Sequence, residues 1–142
     1  MRRPSATVSR SDARCLLDLI THRSLPCLTG NQSMTEHIVH FHCQIDQGTT
    51  ERFRDCCLEA IEQGATSLLL NLSTCGGSTN FGFTLYTFLK SLPVPLCAIN
   101  AGNIESMGII MFLAAGRRIT SPHSRFLIHP MNWYFSQKSV DH

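Results

Sequence analysis

Short apolar runs recur along this chain at helix-length intervals, and that rhythm limits its fold more than any other feature. "TSLLLNL" (66–72) and "VPLCAIN" (94–100) are continuous apolar runs, too short for buried helices, and read as strands buried on both faces. Residues 38–45 alternate in polarity and predict an earlier strand. "SRFLIHP" (124–130) predicts a final one. Between them lie helical stretches. "ERFRDCCLEAIEQG" spaces Phe53, Cys56, Cys57, Ala60 and Ile61 along one face, with Gly64 placed to stop it. "FGFTLYTFLKSL" is closed by Pro93 and Pro95, and "MGIIMFLAAG" forms a third helix. "RRITSP" reads as a connector. The order βαβαβαβ argues for an α/β fold with a mostly parallel sheet and right-handed crossovers.

In such sheets, chemistry collects in loops at the carboxyl ends of strands. Two loops qualify here: "STCGGSTN", with Gly76 and Gly77, and "AGNIES", which ends at Ser106. By position alone Ser106 reads as a helix N-cap. The lipase-type GxSxG elbow is absent, because Ile104 stands where its first glycine would be. A serine at a helix start nevertheless sits beside unpaired N–H groups that suit an arriving oxyanion. The bare backbone of Gly76-Gly77 allows a ligand close approach, and an N–H from that loop could join that of Met107 in an oxyanion hole. His129 ends the last strand; alternation puts it on one face with Leu127, opposite Phe126 and Ile128. A nucleophilic serine needs a base within reach and preorganised donors, and the chain offers one of each.

Composition narrows the alternatives. The net charge of +2 over 142 residues gives no basis for nucleic-acid binding. The charge is uneven: residues 1–35 carry five arginines against Asp12 and Asp18, whereas the rest holds seven basic and eight acidic groups. Seven cysteines without a CxxC pair indicate a reducing, cytoplasmic setting and no disulfide framework. "HIVHFH" places His40 and His42 on one strand face and His37 on the other, which argues against a metal site. No apolar run is long enough to cross a bilayer. Patterned sequence begins at Met34, so residues 1–33 are expected to be a disordered lead-in or a mis-assigned start, and residues 34–142 the domain.

From about Phe41 to Pro130 the chain resembles the proteolytic subunit of the Clp protease (ClpP), within the wider ClpP/crotonase fold, a spiral of βαβ units. Three pieces carry the resemblance, in family order: "LNLSTCGGSTNFGFTLYTFLKSL", "AGNIESMGIIMFLAAG" and "RRITSPHSRFLIHP". The resemblance implies a serine-type endopeptidase that hydrolyses peptide bonds through an acyl-enzyme. Ser106 would be the nucleophile, His129 the general base, Gly77 and Met107 the oxyanion donors, and Gly76 part of the substrate loop. It further implies a peptide or unfolded-protein substrate, a homo-oligomer, an ATPase unfoldase partner, and no cofactor or metal.

The chain departs from the family pattern in places. Ile104 and Glu105 precede the serine where the family has small residues, and Cys75 stands where proline commonly precedes the glycine pair. The family's third catalytic residue, an acid, comes tens of residues after the histidine, whereas thirteen residues follow His129 here. The third triad residue is therefore unassigned, and the domain is expected to lack its C-terminal part. Two further readings follow: a non-catalytic ClpP-like subunit or fragment, and a crotonase-type acyl-CoA enzyme, which would use the oxyanion hole without a serine nucleophile.

Overall fold

A computed structural model describes residues 21–25 and 34–130. Among these residues six strands form one sheet. They are β1 (Thr21–Leu25), β2 (Met34–Phe41), β3 (Ser67–Thr74), β4 (Leu96–Glu105), β5 (Arg117–Thr120) and β6 (Arg125–Leu127). The order is β1-β2-β3-β4-β5, with β6 also paired to β4. Among the described strands only the β1–β2 pair is antiparallel. Three helices connect the parallel strands: α1 (Gln47–Glu62), α2 (Thr79–Lys90) and α3 (Met107–Ala114). The fold is thus α/β with a mostly parallel sheet, as the sequence rhythm predicts.

Successive helices touch, α1 on α2 and α2 on α3, so they cover one face of the sheet. Val39, Phe41, Leu68, Leu70, Leu72, Leu96 and Ala98 point into that side and meet Phe53, Leu85 and Met111 from the helices. Alternate strand residues are only half-buried, Leu69, Cys97 and Ile99 among them. The expectation that "TSLLLNL" and "VPLCAIN" are buried on both faces is therefore corrected: the helices pack on one side only.

Helix α1 starts at a capping box. The Asp46 carboxylate accepts the Thr49 N–H at 2.8 Å, and Thr49 Oγ1 accepts the Asp46 N–H at 3.0 Å. The bond from the Thr49 N–H lowers the Asp46 pKa more than any other influence on it. Gly64, at φ +92°, follows the helix as the sequence anticipates.

Four elements differ from the sequence reading. The strand expected over residues 38–45 runs over Met34–Phe41 instead. "AGNIES" is not a loop, because β4 continues through Glu105. "RRITSP" is not merely a connector, because Arg117–Thr120 pair in parallel with Cys97–Asn100. All four β5 residues are exposed, so no apolar pattern marks the strand; backbone pairing alone defines it. Within the segment read as a lead-in, Thr21–Leu25 run antiparallel along β2, and the remainder of residues 1–33 lies outside the described residues.

Candidate active site

Strand β4 passes into α3 through a single residue, Ser106. Its backbone lies at φ 50°, ψ −121°, and it is the sole non-glycine at positive φ among the described residues. Such a conformation costs about 1–3 kcal/mol and persists only where the surroundings over-determine it. Here they do. The Ser106 N–H donates to Leu127 O at 2.9 Å, and Ser106 O accepts the Ile109 N–H at 3.0 Å. The side chain makes no capping bond to the helix. The N-cap reading is thus corrected: Ser106 holds the N-cap position, but its hydroxyl is not used to cap.

The glycine loop presses against this turn. A Cβ on Gly76 would lie 2.8 Å from both Glu105 O and Ser106 Cβ, and Gly76 has φ +84°. Gly77, at φ +147°, abuts Ile45, whose oxygen would stand 2.2 Å from an added Cβ. The loop is held by the Ile45 N–H to Gly76 O at 2.8 Å, the Ser78 N–H to Ile45 O at 2.8 Å, and the Gly76 N–H to Thr74 Oγ1 at 3.0 Å. Thr74 is buried and also donates its hydroxyl to Cys43 O. These bonds leave the Gly77 N–H out, and the Met107 N–H heads the first turn of α3, where no intrahelical acceptor exists. Sequence reasoning missed Thr74 and Ile45, whose roles depend on strand ends that are neighbours only in space.

His129 reaches the site by a second route. Strand β6 pairs Arg125–Leu127 with Asn103–Glu105, the last residues before Ser106. Buried Asn100 donates from Nδ2 to Arg125 O at 3.0 Å and accepts the Gly102 N–H at 3.1 Å. The Arg125 Nε–H donates to Asn103 Oδ1 at 3.2 Å. Two residues past β6, His129 shares a cavity of ≈ 260 Å³ with Ser106, Met107, Phe83, Ile109, Ile110 and Ile128. Ile128 and His129 both line it, so the alternation expected along "SRFLIHP" stops where the strand does, at Leu127. Phe126 packs on Phe112 instead, ring centroids 5.3 Å apart.

The histidines of "HIVHFH" separate as alternation predicts: His37 points into the core, and His40 meets the ring of His42 at 5.4 Å. Burial chiefly, and then His42, lowers the His40 pKa. Among the described residues no cluster of three His, Cys, Asp or Glu side chains is gathered as metal ligands would be. Nor is any helix among them long and apolar enough to cross a membrane.

The Clp protease family model matches residues 28–141. The ATP-dependent Clp protease proteolytic subunit 1 of Chlamydia pneumoniae is 38% identical over 60 residues, covering 41% of this chain and 31% of that protein. Its namesake from Streptomyces avermitilis is 27% identical over 101 residues, 69% of this chain and 46% of that one. The chain thus spans less than half the length of these curated relatives. The solved structure of ClpP1 from Listeria monocytogenes superposes with a TM-score of 0.62 at 23% identity, covering 65% of this chain and 55% of that one.

Proposed function

Because the chain belongs to the Clp protease family, we propose that it is a serine-type peptidase acting through an acyl-enzyme at Ser106. The observation that carries this reading is the backbone of Ser106: a strained turn whose hydroxyl caps nothing, on a cavity shared with a histidine. Ser106 Oγ attacks the peptide carbonyl while His129 takes its proton. The Gly77 and Met107 N–H groups receive the oxyanion, and His129 returns the proton to the leaving amine. Water then enters with His129 as base and releases the acyl group. Phe83, Ile109 and Ile110 give the cavity an apolar lining that suits an apolar substrate side chain. A homo-oligomer fed by an ATPase partner fits the exposed Leu127 and Ile128, 52% and 77% accessible, at the sheet edge beside the site.

The test is labelling with a serine-reactive fluorophosphonate, followed by peptide hydrolysis. Wild type is expected to be labelled at Ser106, and Ser106→Ala to lose both label and turnover. A folded wild-type chain that takes no label would favour the non-catalytic subunit. Turnover that survives Ser106→Ala would favour oxyanion chemistry without a nucleophile, as in a crotonase-type enzyme.

A further inference from the structure

Glu105, the residue before the candidate nucleophile, does not share the nucleophile's cavity. Strand β4 alternates to its end: Ile104 is fully buried, so Asn103 and Glu105 face the other way. Glu105 lines a separate groove of ≈ 240 Å³ with His42, Gln44, Ser73, Cys75 and Asn103, at the carboxyl ends of β2, β3 and β4. It is half-buried there and is the groove's one carboxylate among the described residues. No described cation pairs with it. Arg125 donates its Nε–H to Asn103 Oδ1 at 3.2 Å and does not line the groove. A carboxylate drawn partly out of water without a counter-charge is poorly compensated, and a cationic group entering the groove would supply what is missing.

We propose that this groove is a binding site for a basic peptide side chain, arginine or lysine, held by the Glu105 carboxylate. The side-chain oxygen of Gln44 and the His42 ring, both exposed at the rim, offer further polar contacts. The groove and the Ser106 cavity are neighbours, because Glu105 and Ser106 are adjacent in the chain. Gly76 stands between them: it approaches both Glu105 O and Ser106 Cβ and carries no side chain to obstruct a peptide crossing from one to the other. Side chains two residues apart on an extended peptide point the same way and are about 7 Å apart. One peptide can therefore place an apolar side chain in the cavity and a basic one in the groove. The affinity of the groove for a cation is independent of the peptidase reading; its part in selecting a substrate rests on that reading.

NMR titration of the full 15N-labelled chain tests the groove without any turnover. The probes are N-acetyl-arginine amide, its neutral isostere N-acetyl-citrulline amide, and the free diamine putrescine. The arginine probe is expected to shift the Cys75 and Glu105 amides and to bind about fivefold to tenfold more tightly than the citrulline probe. Glu105→Gln keeps the shape, and its amide dispersion shows whether the fold is intact; it is expected to abolish the preference for arginine, whereas Glu105→Asp, which keeps the charge, retains part of it. Equal binding of arginine and citrulline would overturn the proposal, as would a preference that survives Glu105→Gln. Putrescine binding more tightly than the arginine probe would overturn the assignment to a peptide. Fluorogenic peptides with arginine or citrulline two residues from an apolar residue separate this idea from the peptidase reading. Charge-selective binding without hydrolysis upholds the groove and removes the peptidase reading. Hydrolysis without charge-selective binding does the reverse. Where both occur, a kcat/KM indifferent to the charge would overturn the groove's part in substrate selection.

Discussion

Replacing Gly77 with alanine puts a methyl group where the Ile45 backbone already is. The added Cβ would sit 2.2 Å from Ile45 O and 2.9 Å from Ile45 C and N. Non-bonded atoms prefer about 3.5 Å, so the loop and the Ile45 segment must part by roughly 1 Å. Their two mutual hydrogen bonds, both 2.8 Å, would loosen; at ~0.5–1.5 kcal/mol each they contribute about 1–3 kcal/mol. Backbone strain at φ +147° adds about 1–3 kcal/mol for a residue with a side chain. The expected loss is therefore about 2–6 kcal/mol. Gly64→Ala is the control: it has a similarly positive φ of +92° but nothing within 4 Å of the new methyl, so strain alone, about 1–2 kcal/mol, applies there. Urea unfolding followed by circular dichroism would measure both. With a urea slope of ~1–3 kcal/mol/M, a difference of about 2 kcal/mol separates the midpoints by roughly 1 M. If Gly77→Ala unfolds no earlier than Gly64→Ala, the close approach to Ile45 does not hold the loop, and the argument fails.

Ser106→Gly removes a side chain from the unfavourable backbone region and is expected to stabilise the chain by about 1 kcal/mol while abolishing fluorophosphonate labelling; the urea midpoint checks the first effect. Asp46→Ala loses the cap of α1 and is expected to cost ~0.5–2 kcal/mol in the same assay. The Asp46 pKa is depressed in the fold, so its contribution is present above the ordinary carboxylate range and is lost as pH falls through the folded value. Wild type and Asp46→Ala should therefore converge in stability at low pH, and a constant gap would refute the assignment. Asn100→Leu removes the donor to Arg125 O and the acceptor of the Gly102 N–H; it is expected to cost about 1–3 kcal/mol and to speed amide exchange in β6.

Much of the candidate site was legible because its signals are local. The glycine pair, the serine at a helix start and the histidine after an apolar run are each visible within a few residues. Strand β5 was not legible, since an exposed "RRIT" carries no apolar period and becomes a strand only by lying against Cys97–Asn100. The same holds for Thr21–Leu25, which "THRSL" does not announce. The mistaken faces at Ile128 and His129 have a related cause: alternation predicts sides only while the pleat lasts, and β6 ends at Leu127.

What the sequence determined by itself is the order of elements and the residue types at their ends, because hydrophobic period and glycine placement act over one or two turns of chain. The tertiary structure decided what those ends do to one another. It places Gly76 against Ser106, Ile45 against Gly77 and Leu127 O on the Ser106 N–H. These contacts join segments 21–32 residues apart, or hold a backbone angle that serine does not adopt unaided. No local pattern encodes such close approaches. They follow from parallel strands ending side by side, where main-chain groups left over at each edge must find partners in the next.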